Sequence, residues 1–238
     1  MRARFDSKTF VGLHFIAPYY YMVGVEFDDT HNLAICFHQQ LHQNQFKCTK
    51  RFLLVSSLPF SRIQFEVCEL PFGVRKPCAI VNGFRESYHY LGWQHDREVS
   101  LVARISEIDF QEQVLSLRDI YHHIRWLEID VYALWHLLYW QQKTCGKVIL
   151  GIYQSPCGFY LLWGRDDALW QIAHTEYLSS LDSWISNSQW PYPQEVWFLN
   201  TKVSVVLESV PHFNLSIGLE SSYVLAAALA CRGAYASI

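Results

Sequence analysis

The chain has 238 residues, of which 51% are apolar and 17% are charged, a composition typical of an ordered globular protein. Its formal net charge of −3 and its lack of a dense Lys/Arg run give no field that would attract nucleic acid, so direct nucleic-acid binding is not expected. The seven cysteines are widely spaced without a CxxC pair, which argues against a disulfide framework or a structural zinc site. Neither a signal peptide nor a run near the ~18 apolar residues of a membrane span is found, so we expect a cytoplasmic protein.

The first part of the chain predicts an antiparallel meander of three strands. The strands cover Phe10–Phe15, Tyr20–Phe27 and Leu33–His38, and they are separated by turns at Ala17-Pro18 and at residues 28–32. The polar stretch at residues 38–45 contains two histidines but has no further metal ligands nearby. We interpret this stretch as a solvated helix or loop.

The next part, up to residue 105, predicts mainly strands. Ile63, Phe65 and Val67 alternate with polar residues, which is the pattern of a half-buried strand, and Val99–Ile105 is a further strand. The mixed segment Lys76–Gly92 is interpreted as helical in part.

The central part predicts two helices followed by a buried hairpin. Ser106 is a suitable helix N-cap with acids in the turn that follows it, and an apolar stripe extends this helix over Ile108–Trp126. Apolar residues at three- and four-residue steps from Val131 predict the second helix. After a Thr-Cys-Gly break, residues 148–163 predict two buried strands joined at Ser155-Pro156-Cys157-Gly158.

The last part alternates short strands and helices. The predicted elements are a strand at Leu169–His174, a helix at Thr175–Gln189, a strand at Glu195–Leu199, a short strand or helix at Val203–Leu207, and a helix at Ser221–Arg232 closed by Gly233. Because a strand–turn–strand unit occurs both at residues 10–27 and at residues 148–163, the pattern favours a diverged, two-lobed duplication.

Four segments occur in a characteristic order along nearly the whole chain. They are Val11-Gly12-Leu13 with the strand Tyr20–Phe27, then Phe52–Pro71 with Pro59, Ser61 and Pro71, then Val99–Leu138 with Ala103, Asp130, Ala133 and Leu134, and finally Tyr223–Arg232. In their order and spacing these segments resemble the PilM family, the actin-like proteins of type IV pilus assembly, and its ComA-like and HofM-like members in particular.

The resemblance implies an α/β, actin-like (RNase H-type) two-lobed fold with a small inserted subdomain and a reduced second lobe. The implied boundaries are 1–46 for the N-terminal part of the first lobe, 47–105 for the inserted subdomain, 106–146 for the first-lobe helices, 147–220 for the second lobe and 221–238 for the C-terminal helix.

The resemblance also implies positions for a nucleotide. An actin-like fold holds ATP between two hairpins whose turns offer backbone N–H groups to phosphates, while an Asp in each hairpin positions Mg²⁺. The corresponding residues here are His14 and Ala17 in the first hairpin, Gly151, Ser155 and Gly158 in the second, and Asn200 and Thr201 on the adenosine side.

His14 and Gly151 stand where the family has the two acids. Losing a charge-assisted contact costs about 1.5–3 kcal/mol, so the two losses weaken metal–nucleotide binding by roughly two to four decades. We therefore expect a non-hydrolysing relic of an ATPase fold without catalytic or metal-binding residues, for which ATP and Mg²⁺ are at most weak ligands. The alternative is an active ATP-binding enzyme of the actin or sugar-kinase type.

The family's function gives the leading hypothesis. It is a cytoplasmic scaffold of a type IV pilus or a competence DNA-uptake machine, which binds the cytoplasmic tail of a PilN-like single-pass inner-membrane protein and is thereby peripheral to that membrane. Self-association is left open, and binding of single-stranded DNA on exposed aromatic residues is a third alternative. The residues predicted to bind the partner are Tyr21, Val23, Val25, Leu58, Phe60 and Arg62.

Overall fold

A computed structural model of the chain describes residues 9–27, 33–45, 53–58, 60–70, 78–94, 97–117, 120, 124–142, 146–201, 207, 209–215 and 217–235. By its internal contacts the chain divides into two units. The first unit comprises Met1–Pro59, Gln113–Leu137 and Ile217–Ile238, and the second comprises Phe60–Glu112 and Leu138–Ser216. The domain boundaries implied by the resemblance stay a prediction.

The strands of the described residues are, in chain order, β1 (Phe10–Ile16), β2 (Tyr19–Phe27), β3 (Leu33–His42), β4 (Leu53–Leu58), β5 (Ile63–Leu70), β6 (Cys78–Val81), β7 (Phe84–Gln94), β8 (Arg97–Ser106), β9 (Ile124–Ile129), β10 (Val148–Ser155), β11 (Gly158–Arg165), β12 (Ala168–Thr175), β13 (Glu195–Phe198) and β14 (His212–Asn214). The α-helices are α1 (Glu107–Ser116), α2 (Asp130–Gln142), α3 (Leu181–Ser186) and α4 (Val224–Tyr235).

Each unit contains a five-stranded sheet, and the two sheets have the same strand order. The order is β3-β2-β1-β4-β9 in the first unit and β12-β11-β10-β13-β14 in the second. In both sheets the central strand pairs antiparallel with the strand that follows it and parallel with the next strand of its own sheet. The duplication predicted from the two hairpins is therefore confirmed at the level of topology.

The core of the first unit lies on both faces of β1. On one face Val11 and Leu13 pack in a cluster with buried residues of β2, β4 and the segment that follows α1. On the other face the Ala-rich helix α4 is buried from Val224 to Cys231 and again at Gly233 and Ala234. Gly12 permits this approach, because a Cβ built on it would lie 1.8 Å from the carbonyl oxygen of Ala226.

The second unit has a core of large side chains on one face of its five-stranded sheet. Val148, Leu150 and Ile152 of β10 pack there with Trp163 of β11 and with the buried residues of α3. β-Branched and aromatic residues favour strands, and large apolar side chains stabilise a fold by the apolar area that they bury.

The second unit also contains a four-stranded sheet of order β5-β8-β7-β6. The start of α1 is tied to this sheet by Arg85 of β7. Its guanidinium makes two hydrogen bonds to the carboxylate of Glu107, at 2.7 and 2.9 Å, and lies 4.1 Å from the ring centroid of Phe110.

Two segments predicted as helix or loop are strands. Strand β3 continues to His42, so the interpretation of residues 38–45 is wrong except for the 3₁₀ turn Gln43–Gln45. In the segment predicted as partly helical, Lys76–Gly92, the described residues from Cys78 onward form β6 and β7 around Asn82 and Gly83, which both have positive φ. Cross-strand pairing determined both outcomes, because strand preference depends on neighbouring strands more than on the residues themselves.

Three helices have bounds that differ from the prediction. Helix α1 ends at Ser116, and Ile124–Ile129 forms β9, which pairs in parallel with β4. The helix predicted over Thr175–Gln189 is reduced to α3 and a preceding 3₁₀ turn, while α4 continues past Gly233, which is buried, to Tyr235. The segment Val203–Leu207 lies outside the described residues apart from Leu207.

Candidate functional site

The first candidate hairpin, β1–β2, carries His14 and turns at Ala17 and Pro18. His14 stands opposite Tyr21 and is partly buried. Burial disfavours the imidazolium and lowers the pKa of His14 to about 4, so the side chain is neutral at pH 7. A neutral imidazole lacks the negative charge with which a carboxylate holds hydrated Mg²⁺.

The turn of this hairpin has few hydrogen-bond donors that could bind a phosphate. Proline has no backbone N–H to donate, and the Pro18 carbonyl accepts a hydrogen bond from the backbone N–H of Gln43 at 2.9 Å. The exposed side chains around the turn include Phe15 and Tyr19, which are 37% and 38% exposed. The tip of the hairpin is therefore apolar and aromatic.

The second candidate hairpin, β10–β11, turns at Pro156 and Cys157. The Ser155 hydroxyl donates to the carbonyl oxygen of Gly158 at 3.1 Å and accepts from the backbone N–H of Cys157 at 3.3 Å. Gly158 has a φ of +136°, and a Cβ there would lie 2.5 Å from the carbonyl oxygen of Thr175. Ser155 and Gly158 thus have structural roles in closing this turn.

Asn200 and Thr201 lie beside the second hairpin and bind its backbone and side chain. The backbone N–H of Gln154 donates to Asn200 Oδ1 at 2.7 Å, and Asn200 Nδ2 donates to the Gln154 carbonyl oxygen at 2.8 Å. The Thr201 hydroxyl donates to Gln154 Oε1 at 2.9 Å. The N–H of Gln154 is consequently occupied by a side chain of the protein itself.

Gly151 lies in an apolar environment that has no room for a carboxylate. A Cβ built on it would be 2.8 Å from Leu138 Cδ2, 3.4 Å from Leu199 Cδ1 and 3.5 Å from Leu162 Cβ. An unpaired carboxylate in such surroundings would be strongly destabilising.

The duplicated sheets identify a different counterpart for His14. In each hairpin a glycine of the central strand, Gly12 or Gly151, lies beneath a helix, and two positions further along stand His14 and Tyr153 respectively. Tyr153, which is buried and faces Tyr160, is therefore the internal equivalent of His14. Tyr153 lies as far from its hairpin turn in sequence as His14 lies from its own turn, so this equivalence can be read from the sequence once both hairpins are known.

The residues predicted to bind a partner differ widely in exposure. Val23 and Val25 are 0% and 1% exposed, so their assignment to a partner surface is corrected: their side chains belong to the core. Leu58 is also buried, at 8% exposed. Tyr21 is partly exposed, and its ring makes an edge contact with that of Tyr223.

The other two members lie in the second unit. Phe60 and Arg62 are both in the 3₁₀ turn that precedes β5, and the Arg62 side chain is 36% exposed. Its guanidinium forms an ion pair with Glu112 at 2.8 Å. Tyr21 and Arg62 are thus the accessible members whose side chains can be described, and their role in binding stays a prediction.

Two further observations concern metals and membranes. Among the residues that the structure describes, no three side chains of His, Cys, Asp or Glu come together in a group that could hold a metal ion. In the same part of the chain, no helix has the length and apolar character needed to cross a membrane.

Comparisons by sequence match no protein-family model and no curated protein. Comparisons of structure do match. A chain of a PilM–PilN type IV pilus biogenesis complex aligns with 94% of this chain and 98% of its own length, at a TM-score of 0.66 and 11% identity. The cytoplasmic domain of EpsL, an inner-membrane component of the type II secretion system of Vibrio cholerae, aligns at a TM-score of 0.59 and 12% identity, covering 97% of this chain and 96% of that domain.

These likenesses define the class of fold. The chain has the actin-like α/β fold, built from two sheets of the same order, as the resemblance implied. Within that class its architecture is similar to that of PilM over nearly the full length of both chains.

Proposed function

We propose that this chain is an actin-fold scaffold of a type IV pilus or a related secretion machine, and that it binds the cytoplasmic tail of a PilN-like single-pass inner-membrane protein. The observation that carries the proposal is the alignment with a chain of the PilM–PilN complex, which covers 98% of that chain and 94% of this one. A similar fold over nearly the full length of both chains supports a similar role in such an assembly. The binding would place the chain on the cytoplasmic side of the inner membrane.

The second neighbour supports the same class of assembly. EpsL is an inner-membrane component of a secretion system, and its cytoplasmic domain aligns with 97% of this chain. Within this class, the sequence resemblance to ComA-like members favours a competence machine for DNA uptake. Deleting the gene should then reduce natural transformation by orders of magnitude, and an unchanged transformation frequency would restrict the function to pilus assembly or secretion.

We further propose that the scaffold works without hydrolysing ATP. The two hairpins supply a neutral histidine at position 14 and a tyrosine at position 153, and the backbone N–H of Gln154 is already bonded to Asn200. With these features, the two hairpins have few groups that could bind a Mg–triphosphate. Purified protein should therefore show no thermal shift with millimolar Mg-ATP, whereas a clear stabilisation that depends on both Mg²⁺ and ATP would support the enzyme alternative.

The tail-binding proposal is tested in two steps. The tagged full chain is first isolated with membranes from its own cells, and any single-pass inner-membrane protein bound to it is identified. The cytoplasmic segment of that protein is then synthesised as a fluorescent peptide and titrated with purified chain, with a scrambled peptide as the control. Binding in the micromolar range, by the segment but not by its scrambled form, is the expected result. No binding at tens of micromolar would remove the proposal.

A further inference from the structure

Strand β3 forms one edge of the five-stranded sheet in the first unit. Among the described residues it pairs with β2 on one side and with no strand on the other. His38, Gln39 and Gln40 in its middle are exposed, which leaves this edge open to solvent in the described part of the chain. An open edge strand can pair with a further strand. In the second unit, by contrast, the corresponding edge strand β12 contacts β7 of the four-stranded sheet.

The regular part of this edge strand is Phe37–His42. Upstream of it the register with β2 shifts, which leaves Cys36 as a bulge in β3. Open edges are commonly protected against further pairing by charged residues or by proline. The regular part contains neither, and no Asp, Glu, Lys or Arg occurs anywhere from Leu33 to Gln45. This edge therefore lacks the residues that usually prevent the addition of a strand.

The backbone groups of β3 alternate between β2 and the open edge. The Gln43 N–H donates to the Pro18 carbonyl oxygen at 2.9 Å, directly beside the opposed residues His42 and Tyr19. Such a bond flanks a pair without mutual hydrogen bonds, so the N–H and C=O of His42 point away from β2. By the two-residue period of a strand, alternate residues before it do the same. The outward-facing residues are His38, Gln40 and His42.

The outward-facing residues match a second copy of the same strand. When two β3 strands run antiparallel about a two-fold axis at Gln40, the two Gln40 residues face each other and His38 of each copy faces His42 of the other. Outward N–H and C=O groups then meet in all three pairs. A symmetric pairing sets a strand against its own charges, and like charges directly opposite are destabilising. The absence of charge on β3 removes this repulsion, and it offers no ion pair to a charged strand from another protein.

The side chains at this edge are already positioned by neighbouring rings of the first unit. His38 makes an edge contact with the ring of Tyr223, with ring centroids 5.0 Å apart. His42 makes an edge contact with the ring of Tyr19 at 5.6 Å. Side chains that are ordered before association lower the entropy cost of forming an interface.

We infer that β3 is the contact surface of a two-fold symmetric homodimer, in which two copies of the chain join their first-unit sheets by antiparallel pairing about Gln40. The inference goes beyond the proposed function and does not depend on it. A tail peptide and a second copy of the chain are different partners, and their binding is measured separately.

Sedimentation velocity of the full-length chain over a range of concentrations measures the oligomeric state. We expect a reversible monomer–dimer equilibrium for the wild type. Gln40→Lys and Gln40→Glu each place two like charges together at the axis, and each should raise the dissociation constant of the dimer by about tenfold or more. Gln189→Lys and Gln189→Glu are the matched controls, because Gln189 is exposed in the second unit. Both controls should dimerise as the wild type does.

A mixture of the two Gln40 variants tests the pairing directly. Equal amounts of Gln40→Lys and Gln40→Glu should form a heterodimer, because opposite charges then face each other at the axis, while each variant alone stays mainly monomeric. A wild type that is monomeric at hundreds of micromolar would overturn the inference. So would Gln40 variants that dimerise like the controls, or a mixture that associates no better than its components.

A measurement on the wild type needs no variant that might fail to fold. Hydrogen exchange is compared at a low and a high concentration of the chain. The outward-facing amides of His38, Gln40 and His42 should exchange more slowly at the high concentration, since they become hydrogen-bonded in the dimer. Equal exchange of these amides at concentrations where the chain is monomeric and dimeric would assign the dimer contact to another surface.

Discussion

Two hydrogen bonds join Gln154 to Asn200. They continue the pairing of β10 with β13 beyond the last paired residues of these two strands. The backbone N–H of Gln154 donates to Asn200 Oδ1 at 2.7 Å, and Asn200 Nδ2 donates to the Gln154 carbonyl oxygen at 2.8 Å. The asparagine side chain therefore acts like a further residue of β13 beside β10. It also consumes a backbone donor in the hairpin where an actin-like fold would hold phosphate.

Asn200→Ala should destabilise the chain by about 1 kcal/mol, because both hydrogen bonds are lost but water can reach the freed backbone groups. Urea unfolding of the variant measures this loss. Asn187→Ala is the control, since Asn187 is exposed at the end of α3 and its replacement should change stability by no more than about 0.5 kcal/mol. Equal stabilities for the two variants would contradict a structural role for the Gln154–Asn200 pair.

Gly12→Ala should be far more damaging than Gly151→Ala. The new Cβ at position 12 would meet backbone atoms of α4, at 1.8 Å from Ala226 O and 2.6 Å from Ala230 N, so the whole helix must shift. At position 151 the nearest atom is the end of the flexible Leu138 side chain, at 2.8 Å. We expect losses of roughly 3 kcal/mol or more and about 1 kcal/mol respectively. Denaturant unfolding measures both, and the reverse order would contradict the proposed packing.

The hairpins could be predicted from sequence because their signals are local. Residues 148–163 combine a β-branched strand and an apolar, aromatic-rich strand with a turn that requires Gly158, and the structure contains both strands and the turn. Strand β3 could not be predicted in full, since its second half is polar and lies at the edge of a sheet. Its strand conformation depends on pairing with β2, and a local sequence pattern does not show such a contact with another segment.

The candidate site was predictable in its chemistry but not in its geometry. The lack of acids at His14 and Gly151 can be read directly from the sequence. The role of Asn200 could not be read, because it depends on contact between segments 46 residues apart. The exposure of Ile108 was also hidden, since its position near the start of an apolar stripe favoured burial.

Ser106→Ala should cost about 1 kcal/mol of stability through the loss of the helix N-cap. The Ser106 hydroxyl accepts the N–H of Asp109 at 3.0 Å, which would otherwise lack a partner at the start of α1. Ser116→Ala is the matched control at the other end of the same helix, where the exposed hydroxyl donates to the Gln113 carbonyl oxygen and its loss should be nearly neutral. Thermal melting compares the two, and an equal effect would remove the capping role.

His14 should make the folded chain sensitive to mild acid. Burial lowers its pKa from 6.5 to about 4, so the unfolded chain binds a proton at a pH where the folded chain does not. The stability associated with the neutral imidazole is therefore fully present above pH 6.5 and is lost as the pH falls towards 4. The shift corresponds to at most about 3 kcal/mol.

Urea unfolding from pH 7.5 to pH 4 should accordingly show a steeper loss of stability for the wild type than for His14→Asn, which has no proton to bind. An NMR titration of the His14 ring gives its pKa directly, and a value near 6.5 would contradict the prediction. The same measurement bears on function. A residue that stays neutral down to about pH 4 brings neither charge to the hairpin at physiological pH, so it cannot replace the carboxylate that an actin-like site uses for Mg²⁺.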